Sequence, residues 1–97
     1  MRAPSIIQEK QECFLTGDTR GLDCHHIYFG GDRKTSDENG FWIWLRHDYH
    51  IADSHHKTPH NDRELDLALK RMCQLKYEET HTREEFMKLI GRNYLED

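Results

Sequence analysis

Histidines crowd one part of this 97-residue chain, and an adjacent pair of them opens the cluster. Seven of the eight histidines fall between positions 25 and 60: His25, His26, His47, His50, His55, His56 and His60. Histidine is the commonest metal ligand in proteins and the side chain that titrates nearest to neutral pH. Such a cluster can supply both parts of a hydrolytic site, a bound metal ion and a base that activates water.

Two strands are predicted to position these histidines. Residues 22–29, LDCHHIYF, are β-branched and aromatic in their second half, and residues 41–46, FWIWLR, are bulky and bounded by Gly40. The polar residues 30–40, which include three glycines, predict a loop and therefore an antiparallel hairpin. Adjacent side chains on a strand point to opposite faces, so His25 and His26 can serve one centre only near a strand end or a bulge.

A histidine-rich crossover, residues 47–60, follows the hairpin and leads into a helix. Pro59 disfavours a helix at the residue before it, so it bounds this segment. Asn61 followed by Glu64 has the form of a capping box. Apolar residues at a 3.6 period then predict a helix that runs to about Glu79.

A second helix is predicted to begin at the capping box of Thr82 and Glu85 and to end before Gly91. The fold class is therefore α+β, a hairpin with a histidine-rich crossover followed by two helices that cover one side. We expect a single domain over residues 1–97 with three parts: a lead-in (1–12), the hairpin and metal site (13–60) and the two helices (61–97).

Composition limits the classes of protein that this chain can belong to. Its 14 basic and 18 acidic residues give a formal net charge of −4, which counts against a purely electrostatic nucleic-acid binder. An enzyme can nevertheless meet a phosphate through a metal ion and a few arginines. The hydrophobic content of 35% and the mean hydropathy of −1.00 predict a small core, which a metal or a dimer contact would stabilise.

The three cysteines, Cys13, Cys24 and Cys73, are an odd set without CxxC spacing, which indicates a reducing compartment rather than a disulfide framework. A zinc knuckle of Cys13 and Cys24 with two histidines is an alternative, although this spacing is not a standard zinc pattern. The chain has no apolar run of membrane-spanning length and no signal-peptide core. We therefore expect a soluble, intracellular protein without a membrane partner.

The pattern resembles the HNH nucleases, also called ββα-metal or His-Me finger nucleases, and especially small HNH-like proteins encoded by bacteriophages. The resemblance covers roughly residues 13–95 and rests on six segments: CFLTG (13–17), HHIYFGG (25–31), GFWIWLR (40–46), DYH (48–50), PHND (59–62) and EETHTREEFMKLIGRNYL (78–95). It implies a ββα-metal fold and a metal-dependent endonuclease that hydrolyses DNA phosphodiester bonds. It also implies a phage-encoded protein in the cytoplasm of a bacterial host.

The resemblance further implies a role for each of three histidines. His25 is a metal ligand, and His26 is the general base that takes a proton from water. His50 matches the last histidine of the HNH pattern and is a second ligand.

The third ligand is expected near the start of the first predicted helix. His60 is favoured because PHND takes that place in the phage-type pattern, and His56 and His55 are the alternatives. The middle asparagine of the HNH pattern pins the loop by hydrogen bonding, and Asn39 is the nearest candidate for that role.

The chemistry of the expected site extends to the metal and the phosphate. We expect one divalent ion, which is Zn²⁺, Mn²⁺, Ni²⁺ or Mg²⁺. An all-imidazole site suits Zn²⁺, Ni²⁺ or Mn²⁺ better than Mg²⁺. The backbone of the glycine loop, with Arg33 or Lys34, could contact phosphates without a large basic patch.

The expected partner is DNA, with a homodimer or a protein partner left open. The alternative function is a non-catalytic, metal-stabilised phage protein that binds a host or phage partner, and the net acidity fits it well. A small DNA-binding regulator is a third option.

Overall fold

The computed structural model describes residues 2–95. Its sheet has two antiparallel strands, and its helices lie between the strands and after them. The elements in chain order are β1 (Leu22–His26), α1 (Arg33–Asn39), β2 (Trp42–Arg46), α2 (Arg63–Glu78) and α3 (Arg83–Ile90). Short 3₁₀ turns follow each strand, at Gly30–Asp32 and His47–Tyr49. The predicted α+β class, a hairpin with two helices after the crossover, is confirmed.

The strand register decides which side chains share a face of the hairpin. His25 pairs with Ile43, and His26 pairs with Trp42, so the two histidines start from opposite faces. Asp23, two residues before His25, lies on the same face as His25. His26 is the last residue of β1, which is the strand end that the sequence required for both rings to reach one centre.

One core joins the hairpin to the helices. α2 contributes Leu69, Cys73 and Tyr77 at helical spacing, and α3 contributes Phe86. Several aromatic rings of the core meet edge to face, as do those of Tyr28 and Phe86, whose centroids are 5.5 Å apart. The buried cluster consists of Cys13, Ile27, Tyr28, Phe41, Ile43, Leu45, Leu69, Cys73, Tyr77 and Phe86.

The two later helices begin at side-chain caps. The capping box predicted for α3 is confirmed, because Thr82 and Glu85 accept each other's backbone N–H groups. The cap of α2 is one residue later than predicted: the carboxylate of Asp62, and not Asn61, accepts the N–H of Leu65 at 2.9 Å. The prediction for Asn61 was wrong because its amide makes longer-range contacts within the crossover.

The predicted polar loop, residues 30–40, was also wrong, since most of it is helical. Its polar composition is typical of a loop, but Ser36 is buried and docks α1 on the chain after β1. The Ser36 hydroxyl donates to the carbonyl of Tyr28 at 2.7 Å and accepts the N–H of Tyr28 at 3.3 Å. Gly40, with φ +74°, then ends the helix in a left-handed cap.

Residues 3–8, which we call the N-terminal strap, run along the outer edge of β2. The hydroxyl of Ser5 donates to the carbonyl of Trp42 at 2.6 Å, and the side chain of Gln8 accepts the N–H of Trp44 at 2.7 Å. The indole N–H of Trp42 donates to the strap at the carbonyl of Ala3, 2.7 Å away. The strap therefore satisfies backbone groups that an edge strand leaves open.

The strap is also bonded to α1 and to the glycine that ends it. The N–H of Ala3 donates to the carbonyl of Asp37 at 2.7 Å. A Cβ atom at Gly40 would lie 2.1 Å from the carbonyl oxygen of Pro4, so a side chain at this position does not fit.

No helix within residues 2–95 is both long and apolar enough to cross a bilayer.

Candidate metal centre

Three histidines from separate parts of the chain meet at one point. His25 lies near the end of β1, His50 follows the 3₁₀ turn after β2, and His60 precedes α2. Their ring centroids are 5.0 to 5.2 Å apart in all three pairs. One ring nitrogen from each lies within 4.8 Å of the other two, close enough to bind a single metal ion. This is the ligand set that the resemblance implied.

The spacing and the polar atoms of this cluster fit a metal ion. The Nε2 atoms of His50 and His60 are 3.3 Å apart. Two nitrogens at about 2.0–2.1 Å from a tetrahedral Zn²⁺ lie roughly 3.3–3.4 Å from each other. His25 is 1% exposed, and neither of its ring nitrogens has a hydrogen-bond partner in the described part of the chain. A metal ion would occupy the lone pair that is otherwise left unpaired in the interior.

Desolvation favours the neutral, metal-binding form of two of the three candidate ligands, His25 and His60. Desolvation, together with smaller contributions from positive charge on His50 and His60, lowers the pKa of His25 from 6.5 to about 3. Desolvation also lowers the pKa of His60, with a second contribution from His50. An imidazole must be neutral to donate a lone pair, so these environments favour metal binding over protonation.

Asp23 orients one histidine of the cluster. Its Oδ2 accepts the Nδ1–H of His50 at 2.9 Å, which leaves the lone pair on Nε2 free for the cluster. The same oxygen lies 2.8 Å from Nδ1 of His47. Burial acts to raise the pKa of Asp23, but the hydrogen bonds from His50 and His47 outweigh it and lower the pKa. Sequence reasoning gave Asp23 no role, although its place two residues before His25 put it on the same strand face.

His26 lies beside the cluster with one nitrogen committed to a carboxylate. Its ring lines a cavity of about 370 Å³ together with His25, Phe29, Arg33 and the other two histidines of the cluster. Its Nε2 is 2.7 Å from Oδ1 of Asp37, which as a carboxylate accepts the N–H. The lone pair then lies on Nδ1, the arrangement of a general base held by a third group. Asp37 was missed because it lies in α1, which the sequence predicted as loop.

His55 and His56, the alternative ligands, are not part of the cluster. The ring of His56 stacks on Tyr49 with centroids 4.1 Å apart, and its Nε2 lies 3.4 Å from a carboxylate oxygen of Asp48. His55 is exposed on the same crossover. Stacking and ion pairing direct His56 away from the centre, and His60 is the third histidine of the cluster.

An asparagine does pin the crossover, but it is Asn61 and not Asn39. The amide of Asn39 donates to a carbonyl one turn earlier in its own helix, so its contact is local. Asn61 donates to the carbonyls of Ala52 and His56 at 3.2 and 3.0 Å, and it accepts the N–H of Thr58 at 2.9 Å. These bonds close the segment between His50 and His60. The position of Asn61 next to His60 was the one feature of the sequence that could have indicated this role.

The two basic residues predicted to contact phosphates are placed differently. Arg33 lines the cavity that holds the histidines. The side chain of Lys34 is 89% exposed, and its ammonium is 3.9 Å from Glu38 one turn along α1. Of the two, Arg33 is therefore the residue positioned for a ligand in this cavity.

The cysteines do not form the alternative zinc knuckle. Cys13 is 1% exposed within the hydrophobic core. Cys24 lies on the opposite face of β1 from His25 and borders the cavity. The metal-binding group found among residues 2–95 consists of three histidines and no thiol.

Comparison with protein-family models, curated proteins and solved structures finds no match to this chain. The geometry of the site combines three imidazoles around one point with a fourth imidazole, oriented by a carboxylate, in the same cavity.

Proposed function

We propose that this chain is a metal-dependent, HNH-like endonuclease, encoded by a phage, that hydrolyses DNA phosphodiester bonds. The observation that carries the proposal is His26, held by Asp37, in the same cavity as the three-histidine cluster. The ligands come from the end of one strand, from the turn after the second strand and from the start of the following helix. This order corresponds to the ββα-metal arrangement that the sequence resembles.

His25, His50 and His60 would hold the ion through one nitrogen each. A bound divalent ion would supply Lewis-acid stabilisation of the negative charge that develops on the scissile phosphate and the departing oxygen. The all-imidazole set favours Zn²⁺, Ni²⁺ or Mn²⁺ over Mg²⁺, which prefers oxygen ligands. Asp23 fixes His50 in the tautomer that binds.

His26 supplies the base. Its Nδ1 takes a proton from water as the water oxygen attacks phosphorus, and the bond from phosphorus to the leaving oxygen breaks. Asp37 holds the ring by its Nε2–H and stabilises the imidazolium that forms. A base of this kind contributes about 10²–10⁴ in rate. Arg33, in the same cavity, can pair with a non-bridging phosphate oxygen.

Cleavage of duplex plasmid and of single-stranded DNA, with each of Zn²⁺, Mn²⁺, Ni²⁺ and Mg²⁺, tests the proposal. We expect His26→Ala to lower the cleavage rate by about 10²–10⁴ while the bound metal, measured separately, is unchanged. His55→Ala is the matched control, because His55 is exposed on the crossover and lies outside the cluster. Cleavage that survives His26→Ala at full metal content would exclude His26 as the base.

The net charge of −4 favours one other function, a non-catalytic protein whose metal ion is structural and whose partner is another protein. The same experiment separates the two functions. A chain that needs a metal ion to fold but cuts DNA with none of the four metals would be this interaction protein.

A further inference from the structure

An exposed aromatic ring stands at the mouth of the histidine cavity. Phe29 is 39% exposed and lines the cavity with His25, His26 and His60. Its ring meets that of His60 edge to face, with centroids 4.9 Å apart, and lies 6.1 Å from that of His25. The ring is therefore fixed in position, while more than a third of the residue faces solvent beside the proposed catalytic group.

Positive charge lies close to this ring. The ammonium of Lys70 is 4.3 Å from the centroid of Phe29 and is held by Asp66 at 2.7 Å. Arg33 borders the same cavity. The charge of Lys70 is balanced by Asp66 and its side chain is only 12% exposed, so Arg33 is the cation placed to meet a phosphate whose aromatic base stacks on this ring.

The net charge of the chain and the low exposure of His26 favour an unpaired strand over a duplex. Duplex DNA carries one negative charge per about 1.7 Å of axis, so proteins that grip it normally present many cations. The side chain of His26 is only 12% exposed, so the reacting phosphate must enter the cavity. A single strand can bend to deliver its phosphate there, and a base that stacks on an aromatic ring adds affinity without a basic surface.

We propose that Phe29 is a nucleobase-stacking subsite and that the substrate is an unpaired DNA strand, whose phosphate is presented to His26. That the phosphate of this strand reacts at His26 rests on the proposed function. The stacking itself does not, because base binding can be measured without cleavage.

Fluorescence anisotropy of labelled single-stranded and duplex oligonucleotides of the same sequence tests this subsite. The zinc-loaded protein carries His26→Ala, so that the DNA stays intact. We expect tighter binding of the single strand, and about 5- to 150-fold weaker binding after Phe29→Leu. Phe29→Tyr keeps the ring and should bind as the parent does. Leu15→Ala is the matched control, because Leu15 is also 39% exposed but does not line the cavity.

Equal affinity of the Phe29→Leu and Phe29→Tyr proteins at saturating zinc would overturn the subsite. Duplex binding as tight as single-strand binding would overturn it too. Saturating zinc keeps the metal site filled in both variants, so weaker DNA binding by Phe29→Leu cannot come from a loss of bound metal.

Cleavage by the protein with an intact His26 separates this inference from the proposed function. Cleavage that does not depend on residue 29 would reject the subsite and leave the endonuclease. Ring-dependent binding of single strands without cleavage would reject the endonuclease and leave the subsite. A chain that neither binds nor cuts would reject both.

Discussion

At the scale of single residues, two carboxylates that sequence reasoning overlooked define how the histidines can act. Asp37 contacts the proposed base, and Asp23 contacts one proposed ligand. Substitutions of these two residues should therefore affect different properties of the protein. A loss of base orientation reduces turnover at full metal occupancy, whereas a loss of ligand orientation reduces the affinity for metal.

Asp37→Asn should lower the rate of DNA cleavage by up to about 10²–10⁴-fold, the full contribution of a general base, because the negative charge that stabilises the His26 imidazolium is lost. Zinc affinity should stay within about twofold, since Asp37 is not among the clustered ligands. Initial rates of DNA cleavage and a zinc titration on the same protein measure both quantities. An unchanged rate would show that Asp37 does not act through His26.

Asp23→Asn should weaken metal binding by about 10- to 100-fold, and excess metal should restore cleavage. The reason is that His50 loses the carboxylate that fixes its tautomer. Competition with a chelator measures the affinity, with Asp53→Asn as control because Asp53 is exposed on the same crossover. Equal affinities for the two variants would contradict this role.

The sequence could predict the candidate metal ligands better than the carboxylates that orient the histidines. His25, His50 and His60 stand out by residue type and by their place in the HNH-like pattern, and the structure brings them together. Asp23 and Asp37 are ordinary acidic residues in a chain with 18 of them, so only the fold distinguishes them.

At the scale of elements, local signals were sufficient where the stabilising contacts are local. The capping box at Thr82 and the left-handed Gly91 delimit α3 by contacts within a few residues, and both were predicted. α1 was missed because contacts between distant residues stabilise it. Ser36 bonds to Tyr28, and Asp37 bonds to the strap through its backbone. No pattern within residues 30–40 encodes those partners.

Gly40→Ala should destabilise the fold by about 2 kcal/mol or more, because φ is +74° and the new Cβ would collide with the carbonyl of Pro4. For a domain of this size, that corresponds to a fall in Tm of roughly 8–16 °C. Thermal unfolding followed by circular dichroism measures it. Gly31→Ala is the control, since a Cβ there meets nothing within 4 Å, and a similar fall in both proteins would refute the clash.

At the scale of the whole molecule, burying an imidazole couples the stability of the metal-free fold to pH. The pKa of His25 is about 3 in the folded chain and 6.5 when it is unfolded, so only the unfolded chain takes up this proton as the pH falls below 6.5. The stability is fully present above pH 6.5 and is lost progressively down to about pH 3.

Between pH 6.5 and pH 5 the metal-free protein should lose about 2 kcal/mol of unfolding free energy through His25. This window lies above the range in which most carboxyl groups titrate. Urea denaturation at pH 7, 6 and 5 measures the loss. His25→Gln lacks the titrating ring and should show a distinctly shallower dependence, and equal slopes for the two proteins would exclude His25 as the cause.

The N-terminal strap covers the outer edge of β2, where a strand from another chain could otherwise pair. It bonds to both β2 and the backbone of Asp37, the residue that orients His26. Proteolytic trimming ahead of residue 9 would therefore have two effects at once. It would bare a sheet edge able to recruit a strand from a neighbouring molecule, and it would loosen the helix that aims the proposed base, so self-association and loss of turnover would appear together.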